Sequence, residues 1–347
     1  MKVLYAVQGT GNGHISRAEV LIPIFKEFAT VDILLSGTSA NLKLNFPVKY
    51  QFKGLSFVFG TKGGVNILKT LLNIDLWQFI KDVKKLDLNS YDLVINDFEP
   101  VSAWAGFLKK KNTIALSHQY SLLDPNVPKS NDKAFLAKLI LKYYAPTKTG
   151  YGFHFKQYTE TIYHPIIKNE FINQKPVEKN HYLVYLPAYS DQIICAILEH
   201  INFTNWVVFS KHTNTAYSKG NIDVFPLSTH KFNEKLLSAK GVICGAGFET
   251  PAEALYLQKK LMVVPMKNQY EQQCNAEALK EMGIPVLYSF DKSKIQAIES
   301  WVTKGKCLKV NYSNNPRELV AEILLKFKRP QNIRMKAQVI ALNSGVN

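Results

Sequence analysis

ICGAGFETPAEALYLQKKLMVVPMKNQYEQQCNAEALKEMG, residues 243–283, carries the most specific pattern in the chain. An apolar run closes in Gly245-Ala246-Gly247 and opens directly into a helix-like stretch. Glycines at such a turn let backbone amides converge, and a helix start favours anions, so residues 246–250 suit a diphosphate. Glu249 and Glu253 lie four residues apart, on one helix face. A carboxylate there can accept both hydroxyls of a ribose. A second apolar run, KLMVV, ends at Pro265, and Asn268, Gln269, Glu271, Gln272 and Asn275 follow closely. Amides and carboxylates at that density suit sugar hydroxyls, which both donate and accept. A polar surface loop ahead of a helix is the plainer reading of the same residues.

The strand–helix unit repeats along the chain. HYLVYLPAYSD (181–191), WVVFSKH (206–212), IDVFPL (222–227), GVICGAG (241–247) and KLMVVPM (260–266) are strand-like runs. An earlier series consists of VLYAV (3–7), VDILLSG (31–37), YDLVINDFEP (91–100) and NTIALSH (112–118). SRAEVLIPIFKEFA (16–29) and VSAWAGFLKK (101–110) show helical spacing between them. Alternation of this kind implies parallel sheets with helices on both faces. The expected architecture is α/β, with two Rossmann-like parallel-sheet domains facing a cleft. Residues 1–165 form the first domain and 181–320 the second. A polar connection with prolines spans 166–180, and a basic helical tail spans 321–347. Ligands in open α/β sheets bind outside the carboxyl ends of the strands. In the first domain those ends gather residues 9–14, 36–38, 96–99 and 117–119.

The first turn, GTGNGHISR (9–17), fails as a dinucleotide fingerprint. Gly9 and Gly11 fit G-x-G-x-x-G, Gly13 is off the pattern, and His14 takes the third glycine's place. The acid expected at the end of the second strand is missing, because Asp32 begins that strand. No phosphate-binding G-x-x-x-x-G-K-[ST] is present either. A tight turn with His14 capping a helix is one reading; a titratable group placed in a cleft is the other.

At 347 residues and 46% hydrophobic content the chain can bury two cores. No apolar run approaches the ~18 residues of a membrane span, and the immediate strand predicts no secretory signal. Cys195, Cys244, Cys274 and Cys307 form no C-x-x-C pair, which suits a reducing compartment and supplies no metal site. A net charge of +16 favours anionic partners. Both halves are basic and no basic run is interleaved with aromatics, so nucleic acid is not expected. VNILKTLLNIDLWQFIKDVKKL (65–86) and NDKAFLAKLILKYYAPTKTGYGFHFK (131–156) set apolar stripes beside lysines. Such stretches either pack on a domain or lie on an anionic membrane. The expected location is the cytoplasm, with peripheral contact at the inner face of the cell membrane.

The C-terminal pattern resembles the donor half of GT-B glycosyltransferases. It is most similar to those sharing the C-terminal domain of the peptidoglycan N-acetylglucosaminyltransferase and of plastid galactolipid synthases. The shared residues are Gly245, Gly247, Thr250, Glu253, Pro265, Glu271, Gln272 and Asn275-Ala276. GTGNGHISR resembles the family's acceptor-side loop, and YDLVINDFEP followed by ALSHQ resembles strands of bacterial members. The resemblance implies that Glu253 holds the ribose of a uridine diphosphate sugar. It puts Gly247, Phe248 and Thr250 at the diphosphate and Glu271 and Gln272 at the sugar, with Gly245 and Asn275 also in the donor-binding set. His230 and Phe232 are candidates for uracil contact. LPAYSD (186–191) stands in for a glycine-serine loop, so only Ser190 keeps a polar role there.

Inverting transfer needs a base and positive potential for the leaving diphosphate. No Asp-x-Asp metal motif is present, so no metal and no cofactor beyond the sugar nucleotide is expected. The helix start and basic residues such as Lys211 and His212 would carry the charge. His14 is the first candidate base, oriented by Asp97 or Glu99; Asp97 itself and His118 are the others. The acceptor is expected to be a glycan or glycolipid. A nucleotide-sugar 2-epimerase of the same fold, or a non-catalytic sugar-nucleotide or glycolipid binder, would share much of this pattern.

Overall fold

A computed structural model describes residues 1–37, 44–55, 75–130, 135–172, 174, 179–312 and 315–327. The first domain is a seven-stranded sheet of β1 (Lys2–Gln8), β2 (Thr30–Ser36), β3 (Tyr50–Phe52), β4 (Leu93–Asp97), β5 (Thr113–Ser117), β6 (Thr149–Phe153) and β7 (Ile162–Tyr163). The order is β3-β2-β1-β4-β5-β6-β7 and every pairing is parallel. The second sheet holds β8 (His181–Tyr185), β9 (Asn205–Ser210), β10 (Tyr217–Lys219), β11 (Ile222–Pro226), β12 (Gly241–Gly245) and β13 (Lys260–Val264). Its order is β10-β11-β9-β8-β12-β13, parallel except for β10.

The helices in chain order are α1 (Asn12–Phe28), α2 (Leu76–Lys85), α3 (Pro100–Leu108), α4 (His118–Ser121), α5 (Phe135–Tyr143), α6 (Asp191–Leu198), α7 (Thr229–Ser238), α8 (Glu249–Tyr256), α9 (Tyr270–Glu281), α10 (Ile295–Lys304) and α11 (Pro316–Phe327). Central strands such as β4 and β5 are buried at every residue, as a parallel sheet covered on both faces requires. In β1 the side chains divide by parity. Val3, Tyr5 and Val7 join the core with Ile15, Leu21 and Phe25 of α1. Leu4 and Ala6 join Phe79 and Val83 of α2 and Val101 of α3 on the other face.

Three strands of the first domain, β3, β6 and β7, have no counterpart in the sequence reading. In β6 the glycines obscure the pattern, yet packing demands them. A Cβ on Gly150 would lie 2.5 Å from Ala115 Cβ, and one on Gly152 2.6 Å from Ser121 Cβ. Helix α1 starts at Asn12, ahead of the apolar periodicity, so His14 lies in a first helical turn and not in a loop. Helix α11 runs through the expected boundary at 320. It packs back on α1 of the first domain, with Tyr163 donating to Glu322 at 2.9 Å and Lys326 to the Tyr151 hydroxyl at 2.9 Å. Residues 65–74 and 131–134 of the two lysine-flanked stretches, and 328–347 of the tail, lie outside the described residues. Among the described residues no helix is long and apolar enough to cross a membrane.

In each sheet one central strand, β1 or β8, has neighbours that lie on either side with connections leading opposite ways. Their carboxyl ends open the crevices where such folds bind ligands.

Candidate active site

Both crevices contribute to one cleft of about 720 Å³, lined from the first domain by Thr10–His14, Ser16, Arg17, Phe98 and Gln119. From the second come Tyr185, Lys211, Phe232, residues 247–250, Glu253 and Glu271-Gln272. Helix capping differs among the helix starts. Glu99, Ser117, Ser190 and Ser228 cap α3, α4, α6 and α7 through their side chains. Helices α1, α8 and α9 have no side-chain cap. A helix start without a side-chain cap is the arrangement an anion meets at a helix N-terminus.

His14 and Asp97 come together at the first crevice. Asp97 ends β4 and is fully buried, and His14 Nδ1 lies 2.8 Å from its Oδ1. Nδ1–H donation to the carboxylate leaves Nε2 as the lone-pair nitrogen, 3.5 Å from Gln119 Nε2. Phe98 follows Asp97 with φ +54°, a left-handed conformation costly for an aromatic residue. That turn brings the Phe98 ring parallel to His14 at 6.4 Å and against Tyr144 at 4.9 Å.

Arg17, one turn after His14, was not singled out from sequence; its spacing from His14 is the signal that could have found it. Its Nε and Nη2 donate to both Asp97 oxygens at 3.0 and 2.7 Å. Its Nη1 crosses to the second domain and donates to Glu249 Oε1 at 2.7 Å. Burial alone would raise the Asp97 carboxyl, but Arg17 and His14 overcome it and hold the group below its ordinary value. Burial, with Glu253 and Asp97 nearby, pushes Glu249 up to about 8 against the pull of Arg17 and Lys168. Lys168, from the connecting segment, reaches into the cleft and pairs with buried Glu253 at 3.0 Å. Burial raises the Glu253 carboxyl and Lys168 partly offsets this.

The other expected residues divide into those that face the cleft and those that support it. Glu271 lines the cleft and accepts from Gln119 Nε2 at 3.1 Å, so this contact also spans the domains. Gln272 lines it too, with Oε1 accepting from Met266 N at 3.0 Å. Gly247, Phe248, Thr250, Glu253 and Phe232 all line it. Gly9 and Gly245 do not; Gly11 and Gly13 do. Glu99 is away from His14: its oxygens accept from Val101 N, Ser102 N and Ser36 Oγ, and burial raises it. Ser190 caps α6 and lies off the cleft wall, where Pro187 and Ala188 stand instead. His230 is exposed on α7 outside the cleft, and Ser228 and Thr229 take its place.

His118 has no nitrogen free to act as a base. Nδ1 lies 2.8 Å from Phe153 O and Nε2 2.8 Å from Asn275 Oδ1. Its ring stacks on Phe248 at 4.0 Å, and burial lowers its pKa. Asn275 is fully buried, and its Nδ2 donates to Ala246 O at 3.0 Å. Both residues thus fasten the second glycine turn to the first domain. Among the described residues no three His, Cys, Asp or Glu side chains gather as a metal would need.

The two-domain fold is that of the GT-B glycosyltransferases. The glycosyltransferase SnogD from Streptomyces nogalater superposes with a TM-score of 0.53 at 11% identity, over 94% of this chain and 99% of its own. UGT89C1 of Arabidopsis thaliana, solved with UDP, gives 0.58 at 11% identity over 94% of each chain. A UDP-glucosyltransferase from Polygonum tinctorium that can glucosylate indoxyl gives 0.61 at 12%, over 94% and 98%. No curated protein sequence matches. The sequence model of glycosyl transferase family 1 matches residues 1–304, and the chain belongs to that family. It is a glycosyltransferase.

Proposed function

We propose that the enzyme moves a sugar from a uridine diphosphate sugar to an acceptor hydroxyl, with inversion and without a metal ion, using His14 as base. One observation carries the reading. The His14–Asp97 contact of 2.8 Å commits Nδ1 to a buried carboxylate and leaves Nε2 for proton transfer in the cleft that α8 enters uncapped. Asp97 fixes the tautomer and stabilises the imidazolium formed when Nε2 takes the acceptor's proton. The hydroxyl attacks the anomeric carbon from the side opposite the departing UDP, and a single displacement of that kind inverts the centre. Charge on the leaving diphosphate falls to the first amides of α8 and to the cleft lysines, Lys168 and Lys211. Glu271 and Gln272, with Gln119 across the cleft, suit the sugar hydroxyls. Glu253 suits the ribose and Phe232 the uracil. The residues shared with the peptidoglycan N-acetylglucosaminyltransferase and galactolipid synthases support kinship with that branch.

For the acceptor the proposal is a glycan or glycolipid, the latter met at an anionic membrane surface. Helix α2 turns Leu76, Trp77 and Ile80 to solvent, Trp77 with 78% of its surface exposed, beside Lys81, Lys84 and Lys85. Apolar anchors within a lysine rim suit such a surface.

The test is UDP release from a panel of sugar nucleotides, with soluble glycans and with glycolipids in anionic vesicles, in EDTA throughout. His14→Ala is expected to lower turnover by roughly 10²–10⁴-fold, the range of general base catalysis, with UDP affinity unchanged. Near-normal turnover in that variant removes His14 from the mechanism.

A further inference from the structure

Glu249 is an acid in a place meant for an anion. It opens α8 and lines the cleft between Phe248 and Thr250, in the turn that the proposed function gives to the diphosphate. An ionised carboxylate there would repel the ligand at close range. Its surroundings disfavour that ionisation. Arg17 is its cationic partner at 2.7 Å, but both Asp97 oxygens already hold the other edge of the same guanidinium. Lys168 is engaged by Glu253, which shares the helix face with Glu249 and adds negative charge. Gly13 of the first domain presses on the side chain so closely that a Cβ there would lie 3.0 Å from Glu249 Cγ. The Glu249 side chain is 16% exposed, and that exposure opens on the cleft. Arg17 occupies Oε1, whereas no protein hydrogen bond takes Oε2 among the described residues.

We propose that Glu249 is a neutral carboxylic acid, held at Oε1 by Arg17, whose Oε2–H donates a hydrogen bond to the diphosphate of the donor and then of the departing UDP. The inference rests on the reading of the cleft as a uridine diphosphate sugar site. It turns a repulsive residue into a donor that complements the uncapped amides of α8. It also gives Arg17 a second duty, since the guanidinium that steadies Asp97 on the acceptor side orients the acid on the donor side. The upward push of burial on this carboxyl, to about 8, agrees with a neutral group at physiological pH. The sign follows directly: the donor is present below that value and is lost as pH rises through it.

The experiment is calorimetric titration of the full chain with UDP at pH 7 and pH 9, above the second ionisation of a phosphate near pH ~6. His14, Arg17, His118, Lys168, Lys211, His212, Glu253 and Glu271 also face the cleft, so the readout is the ratio of wild type to variant. Wild-type affinity is expected to fall about tenfold more than that of Glu249→Gln, which keeps a donor and cannot ionise. Glu249→Ala, which has no donor, is expected to bind more weakly than Glu249→Gln at both pH values. Parallel losses in wild type and Glu249→Gln overturn the assignment and leave UDP as the ligand. Absence of UDP binding by the wild type at either pH overturns the donor reading together with this one.

Discussion

Gly9 and Gly247 each lie between the end of a strand, β1 or β12, and a helix whose first turn has no side-chain cap. A Cβ on Gly9 would lie 3.0 Å from both Ser36 O and Gly37 O. A Cβ on Gly247 would meet nothing within 4 Å. The first turn is folded against its own sheet, with Gly9 N donating to Ser36 O at 2.6 Å. The second stands open to the cleft. The same residue type therefore serves two ends. In the first domain glycine lets the backbone pass another strand end so that a side chain, His14, can be presented. In the second it keeps side chains away so that the backbone can be presented.

The largest expected effect in this comparison is on stability. Gly9→Ala forces a methyl group against two carbonyl oxygens that belong to backbone and cannot swing aside. The cost of such overpacking is about 1–3 kcal/mol. A lowered denaturation midpoint with UDP affinity preserved in the folded protein is the predicted result. An unchanged midpoint would mean that the turn is looser than its hydrogen bond implies.

Gly247→Ala inverts that pattern. Its Cβ enters open space, so the midpoint of thermal unfolding should stay where it is. The methyl group projects where a diphosphate would approach the amides of α8, and UDP affinity is expected to fall about tenfold, or ~1.4 kcal/mol. A variant that unfolds earlier and binds normally would erase the distinction between the two turns.

How far these roles could be read in advance depended on the range of the interactions behind them. Residues 243–283 revealed strand, turn and helix because burial there is local and periodic. The pairing of His14 with Asp97 was legible as well, since the turn after β1 and the end of β4 lie at the edge to which a parallel sheet brings its strand ends. Strand β6 was not, because the need for Gly150 and Gly152 comes from Ala115 and Ser121, distant in sequence. Arg17 carried a local signal, its place one helical turn after His14, but its reach to Glu249 and that of Lys168 to Glu253 did not. Each completes an ion pair whose acid lies on the other side of the cleft, Glu249 or Glu253, and no local pattern marks a residue for a partner so far along the chain. His118 was ambiguous for a related reason. Its position at a strand end suggested chemistry, while Asn275 and Phe248, which commit it to the domain contact, lie far along the chain.

Gly13 belongs to both sides of the comparison and yields the smallest predicted change. It lies in the first turn of α1, yet the atoms its Cβ would crowd are those of Glu249, at the second glycine turn. The nearest of them, Cγ, lies in a flexible side chain and not in backbone, so it can yield. Alanine also suits a helix better than glycine, by roughly 0.5–1 kcal/mol, which offsets much of the crowding. Gly13→Ala should therefore unfold at nearly the wild-type temperature. Moving Glu249 away from Arg17 should still disturb the contact between the two turns, with UDP affinity falling only about two- to threefold, under ~0.7 kcal/mol. A loss as large as that of Gly247→Ala would show that the first turn touches the diphosphate itself, and the division between a turn that presents a side chain and one that presents backbone would no longer hold.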